Sequence, residues 1–181
     1  MVLVRFRYAC ITWGILILAL IGMTYKLNKL ENIITSLNYN QTLILRQLEE
    51  SEKEIKDIDK LIDKYAKQFG VDKKLCHAVA IVESGKKQEV ISQSNSIGVF
   101  QLQPSTAKGL GVNPYDTEQN ILGGIKYLSY LNKKFNGDTD LILASYNSGV
   151  GNVSKYNGIP PFNETHSYIK KVKKERDKLN K

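Results

Sequence analysis

Apolar and polar positions alternate along this chain in three regimes. Residues 8–25 carry no charged side chain and include the run Ile-Leu-Ile-Leu-Ala-Leu-Ile at 15–21, with Arg5 and Arg7 before it and Lys26 after it. That length is at the lower limit for a membrane-spanning helix, and Tyr8, Trp13 and Tyr25 suit the two interfaces. The basic amino terminus predicts that this end stays in the cytoplasm and that everything after residue 26 is exported. A cleaved signal peptide is the rival reading. Ala19-Leu-Ile and Gly22-Met-Thr are poor cleavage sites, so residues 1–26 read as a cytoplasmic tip and an uncleaved anchor.

From Leu27 the spacing changes to alternating threes and fours: Leu27, Leu30, Ile34, Leu37, Gln41, Ile44, Leu48, Ser51, Ile55, Ile58, Ile62, Tyr65 and Phe69. Only Gln41 and Ser51 interrupt the apolar series. Such a heptad predicts a coiled coil or a long helix resting on a partner. The later members, from about Ile55, fit the first helix of a globular domain. Residues 27–56 are therefore expected to be a helical stalk, about 45 Å long, and residues 57–181 the globular part. The stalk reads either as a spacer or as a surface for self-association or docking to an assembly.

The third regime is helical but broken by loops. Gly70 ends one element and Asp72 is placed as N-cap of the next. Cys76, Val79, Ala80 and Glu83 follow at i, i+3, i+4 and i+7, so one face is small and apolar until its last member, a carboxylic acid. An acid against an apolar wall loses solvation of its charged form, and its pKa rises toward neutrality. Ser84 and Gly85 stop the helix just beyond it, which presents the acid at a cleft edge. A polar loop over residues 85–96 leads to Ile97-Gly-Val-Phe-Gln-Leu, expected to be a brief hairpin or extended piece, and Pro104 begins a short helix. Asp116-Thr117 caps a helix with Ile121, Ile125, Leu128 and Leu131 as core stripe. Gly123 and Gly124 within it imply close packing. Asp138 or Thr139 opens a helix over 141–146, followed by a turn-rich segment at 147–152. A last amphipathic helix, from Glu164 to about Leu179, turns Ile169 and Val172 inward. The class expected is α+β, predominantly helical, with one loop-lined cleft.

Charge changes this picture little. The net charge is +8, but no basic-aromatic nucleic-acid motif accompanies it, and much of it lies in the lysine-rich run after residue 169, which reads as a solvated helix face. No nucleic-acid partner is expected. Cys10 and Cys76 imply no disulfide framework, and Cys76 reads as a small core residue. His77 and His166 have no ligands at metal spacing, so neither a metal nor a cofactor is expected.

Glu83-Ser84, Ser92, Gly98-Val-Phe-Gln101, Pro104, Thr106-Ala107, Asn120-Ile121, Gly124, Tyr127-Leu128, Ala144-Ser-Tyr146-Asn147-Ser-Gly149 and Glu164-Thr165 with Tyr168 resemble, in order and spacing, the catalytic domain of SLT-type lytic transglycosylases. The resemblance covers roughly residues 57–175. It implies a lysozyme-like fold of the goose type and cleavage of peptidoglycan glycan strands between MurNAc and GlcNAc, leaving 1,6-anhydro-MurNAc ends. By the same resemblance Glu83 matches the sole catalytic acid. Ser92 and Gln101 match residues lining the glycan groove, and Tyr146 and Asn147 match a Tyr-Asn pair whose tyrosine sits beside the acid. Glu164 matches a buried structural carboxylate, and Ser84 and Tyr168 fall where orienting residues are found. From the residues alone, Ser92 reads equally as a loop-capping hydroxyl and Asn147 as a helix terminator. Gly85-Lys86-Lys87-Gln88 departs from the aromatic or Asn-Pro that often follows Glu-Ser, which implies altered subsite contacts.

The resemblance implies a bacterial cell membrane, with the enzyme domain in a periplasm or on an outer surface. Wall remodelling and local opening for a secretion, conjugation or phage apparatus both fit such an enzyme. Two other functions fit the same residues. A muramidase using water would need a second carboxylate as base, for which Glu89 and Asp116 are the candidates. A non-catalytic peptidoglycan-binding or assembly protein would not need the acid.

Overall fold

The computed structural model describes residues 2–179, with the side chains of residues 13–14, 16–54 and 57–179. The chain divides into two compact units, Met1–Ser51 and Glu52–Lys181. The first consists of part of helix α1 (Val2–Phe69). Its described apolar side chains, from Trp13 to Leu48, are exposed. Among the described residues no helix is long and apolar enough to cross a membrane. The expected span over 8–25 begins where side chains, that of Cys10 included, lie outside the described residues.

The second unit is a stack of helices whose ends are set by local chemistry. The last turns of α1 bury Ile58, Ile62, Tyr65 and Ala66, and Gly70, at φ 63°, turns the chain out of the helix. Asp72 then caps α2 (Lys73–Ser84), accepting from the Lys74 amide, and Gly85 ends it in the left-handed conformation. Leu75, Cys76, Ala78, Val79 and Ala80 are buried, and burial pushes the Cys76 thiol up to about 12, as for an inert core cysteine. α3 (Pro104–Leu110) starts on its proline. Asp116 caps α4 (Thr117–Lys134), whose expected stripe of Ile121, Ile125, Leu128 and Leu131 is completely buried. Asp138 caps α5 (Thr139–Ser148). α7 (Asn163–Lys178) packs on α2 and α5, and α5 also packs on α4.

Two expectations need correction. The 97–102 segment is not a β-hairpin with strands: the described residues contain no strand, only isolated bridges Ile91–Ile97 and Ile97–Leu102. Ile97 and Leu102 exchange both backbone hydrogen bonds, but Gly98 and Gln101 between them have positive φ, so the ladder closes into a tight turn. The described residues are thus predominantly helical, without the β part of an α+β class. The segment after Asn147 is not all turn, because α6 (Val150–Lys155) forms once Gly149, at φ 87°, has redirected the chain.

Gly124 shows how closely α4 meets that turn, since a Cβ there would lie 2.2 Å from Phe100 Cγ, whereas one at Gly109 would meet nothing within 4 Å. Gly124→Ala is expected to lower unfolding free energy by about 1–3 kcal/mol through overpacking. Gly109→Ala, in an exposed helical position, should leave it unchanged or slightly raised. Urea melts of the two variants beside wild type check the contrast.

Candidate active site

Glu83 sits one residue from the end of α2, and its surroundings follow from what α2 packs against. Tyr168, buried on α7, donates from its phenol to Glu83 Oε1 at 2.6 Å. Glu83 is half-buried as a residue, but its carboxyl is largely withdrawn from water. Burial pushes its pKa up to about 7, against the lowering effect of the Tyr168 hydrogen bond. A carboxyl so placed is divided between acid and carboxylate near neutral pH, as a group that gives and takes one proton must be.

Ser84, the next residue, ties the end of α2 to the 97–102 turn. Its hydroxyl donates to Val99 O at 2.9 Å and accepts from the Lys87 amide at 3.0 Å. The turn is held from its other side by Asn120 of α4, completely buried, which accepts from the Phe100 amide at 2.9 Å and donates to Ile97 O and Pro114 O. Gln88 completes this clamp, donating to Pro114 O at 2.9 Å and accepting from the Val99 amide at 3.3 Å. The residues after Glu-Ser that depart from the family pattern are thereby given work inside the fold: Gln88 in the clamp, and Lys86 in an ion pair with Asp59.

Gln101 has its backbone at φ 44°, and its side-chain amide donates to Gly98 O at 2.9 Å and Val90 O at 3.1 Å. It lines a pocket of about 250 Å³ with Gln103, Thr106, Tyr127, Tyr146 and Asn147. Tyr127 and Tyr146 meet there with ring centroids 5.5 Å apart. Asn147 accepts from the Thr165 hydroxyl at 2.8 Å, which links α5 to α7.

The phenol that hydrogen-bonds the acid is that of Tyr168, while Tyr146, expected beside the acid, donates to Phe100 O at 2.8 Å. Both phenols are pushed well above their usual range, by burial first and by the Glu83 charge second, so Tyr146 is near the acid without touching it. Glu164 is exposed in the first turn of α7, where a carboxylate is favoured by the helix dipole; it is not a buried carboxylate. Ser92 accepts from the Ser96 amide at 3.0 Å and meets the Ser94 hydroxyl at 3.0 Å, as the loop-capping reading of that hydroxyl has it. Of the two candidate bases, Asp116 is the α4 cap, accepting from the Gln119 amide at 2.8 Å. Glu89 lies with Glu54, Ile91 and Tyr115 around a separate cavity.

Sequence reasoning missed the structural roles of Asn120 and Gln88. Asn120 carried a signal, a polar residue on the buried stripe of an amphipathic helix, which calls for hydrogen-bond partners. Gln88 carried none, because its partners are backbone groups of remote loops.

Comparison with known proteins agrees with this geometry. The Transglycosylase SLT domain family matches residues 60–169, and the chain belongs to that family. It is 30% identical over 161 residues to membrane-bound lytic murein transglycosylase C of Actinobacillus pleuropneumoniae, covering 65% of this chain and 44% of that protein. It is 33% identical over 137 residues to membrane-bound lytic murein transglycosylase E of Buchnera aphidicola, covering 69% and 60%. Among solved structures, an inactive mutant of lytic transglycosylase Slt from Pseudomonas aeruginosa superposes with a TM-score of 0.60 at 27% identity, over 67% of this chain and 24% of that one. The 70 kDa soluble lytic transglycosylase of Escherichia coli gives 0.60 at 26% identity, over 65% and 23%. The chain spans less than two thirds of the length of each of these relatives.

The raised pKa of Glu83 has a sign that stability measurements can read. Below its unfolded value, near 4.5, the group is protonated in both states and costs nothing. As pH rises toward about 7 the unfolded chain ionises first, and the folded state is progressively penalised. Glu83→Gln is therefore expected to match wild type in stability near pH 4 and to exceed it at pH 8, by up to about 3 kcal/mol. Thermal melts across that range check it; equal curves at pH 8 would mean the carboxyl is solvated.

Proposed function

We propose that this protein is a peptidoglycan lytic transglycosylase, cleaving the β-1,4 bond between MurNAc and GlcNAc with Glu83 as single acid and base. The observation that carries the reading is one isolated carboxyl, half-buried, pushed up to about 7 and bonded to a phenol. Most glycosidases that use water need a second carboxylate as base or nucleophile; of the two candidates, Asp116 caps α4 and Glu89 borders a different cavity from the one at Gln101. A transglycosylase needs none. Glu83 protonates the glycosidic oxygen as the bond to the anomeric carbon breaks. The resulting carboxylate then takes the proton from the muramic acid's own 6-hydroxyl as that oxygen closes on the anomeric carbon. The proton is returned and no water enters. Tyr168 positions the acid, while Gln101, Tyr146 and Asn147 border the strand's groove.

Names of relatives support a membrane location, since two are membrane-bound lytic murein transglycosylases. We read residues 1–26 as the anchor, with its N-terminus cytoplasmic, 27–56 as the stalk, and 57–181 as the exported catalytic domain. The outward apolar side chains of α1 from Trp13 to Met23 fit an anchor, because water is a poor solvent for them.

A digest of purified peptidoglycan by the full chain, read by mass spectrometry, tests the chemistry. Muropeptides lighter by one water and carrying anhydro ends are expected from wild type, and Glu83→Gln should slow their release by about 10²–10⁴-fold or more. Ordinary reducing ends would make the protein a hydrolase instead.

The pH profile tests the assignment independently. kcat/KM should hold below the Glu83 pKa and fall as pH rises through about 7, because the donor must be protonated in the free enzyme. Tyr168→Phe removes a hydrogen bond that favours the carboxylate, so it should move this fall to higher pH. An unmoved limb would assign the titration to another group.

A further inference from the structure

Within the first unit, α1 exposes Leu27, Leu30, Ile34, Leu37, Ile44 and Leu48, each by 54–60%. These residues occupy alternating a and d positions of one heptad, with Gln41 at a fourth a position and Ser51 closing the series at a d position. The a and d positions repeat every 3.5 residues, with Ile33 at g and Leu45 at e beside them, and such a repeat matches a second helix wound left-handedly around the first. The same register continues into the second unit as Ile58, Ile62 and Tyr65, which are buried within that unit. Those positions have no surface to offer a partner. The apolar seam left uncovered therefore ends near Ser51, where the two units divide.

We propose that residues 27–51 form a parallel, in-register, two-stranded coiled coil with a second copy of this chain. Gln41 selects both the partner and the direction. In a parallel pair each a residue faces its own counterpart, so the two Gln41 amides can donate to and accept from one another. In an antiparallel pair a faces d, and Gln41 would meet Leu30, Leu37 or Ile44 with its amide unsatisfied. Its one polar alternative, Ser51, leaves an overlap of only residues 41–51. Flanking positions agree: g-to-e′ neighbours in the parallel pair are Ile33 with Asn38, Asn40 with Leu45, and Gln47 with Glu52, none of like charge. Ile34 at a with Leu37 at d is the pairing that favours two strands. The dimer ties two catalytic domains to one stem, so that engagement of a glycan strand by one raises the effective concentration of the other.

Disulfide cross-linking of the full chain in its membrane tests this, in a Cys10→Ser background with buried Cys76 left in place. Cysteines join only where their Cα atoms come within about 7 Å. Leu30→Cys, Leu37→Cys and Ile44→Cys, all at d, should each give a cross-linked dimer, and Tyr39→Cys, on the outer face at f, should not. Adding Ile34→Asp should reduce cross-linking at Leu37→Cys to the level of Tyr39→Cys. Cross-linking at one d position alone would indicate an antiparallel pair and overturn the proposal, as would cross-linking at none. Light scattering of the detergent-solubilised chain should report two copies per particle, and either one or more than two would overturn it.

Discussion

A carboxyl that has lost most of its water, with a single phenol in exchange, is the constraint around which the second unit is arranged. Glu83 Oε1 accepts from Tyr168 at 2.6 Å. One neutral donor does not replace the hydration shell of a carboxylate, so the charged form stays penalised and the proton is held until near neutrality. The environment that withholds water is made by packing. α2 and α7 pack together, and Val79 and Ala80 on the one and Ile169 and Val172 on the other are buried. Loosening that contact would admit water to the carboxyl and return it toward the ordinary range of a glutamate.

Polar groups around the acid are mostly satisfied by other parts of the protein, which keeps the site rigid without adding charge to it. Asn120 makes three hydrogen bonds to loop backbone from a completely buried position. Ser84 bridges α2 to the same turn, and Gly124 lets Phe100 lie against the backbone of α4. Gln101 is thereby fixed by both backbone and side chain, and it borders the groove from a position it cannot leave without breaking bonds to Gly98 and Val90. Such fixed placement is what transition-state stabilisation asks of a site, because no reorganisation is then needed during reaction.

The ends of α1 and α2 and the starts of α2, α4 and α5 were legible because each is marked by one residue with one job: Asp72, Asp116 and Asp138 as caps, Gly70 and Gly85 as left-handed stops. The core stripe of α4 was legible from periodicity, and Glu83 from an apolar face that ends in an acid. What failed to show was anything decided by distance across the fold. Tyr146 and Tyr168 are both buried phenols near Glu83, and which of them reaches its oxygen depends on how α5 and α7 sit against α2, a matter of ångströms. Glu164 shares a helix with Tyr168, yet position in the first turn leaves it in water. Gln88 looked like a departure from pattern and proved to be a loop clamp, since its partners are backbone atoms and carry no side-chain signature.

The chemistry follows from there being one acid with one of its oxygens engaged. Tyr168 occupies Oε1, and both neighbouring phenols are held far above neutral pH, so neither can act as an acid or a base in the working range. They remain donors throughout. In the proposed reaction, proton traffic passes through the carboxyl itself, out to the leaving oxygen and back from the incoming one. An external water would need its own base on the opposite face of the sugar; Asp116 serves as a helix cap and Glu89 borders a different cavity from the one at Gln101. In the proposed reaction, an internal hydroxyl of the substrate takes the place of the leaving oxygen at the same carboxyl, and the proton balance closes with Glu83 alone.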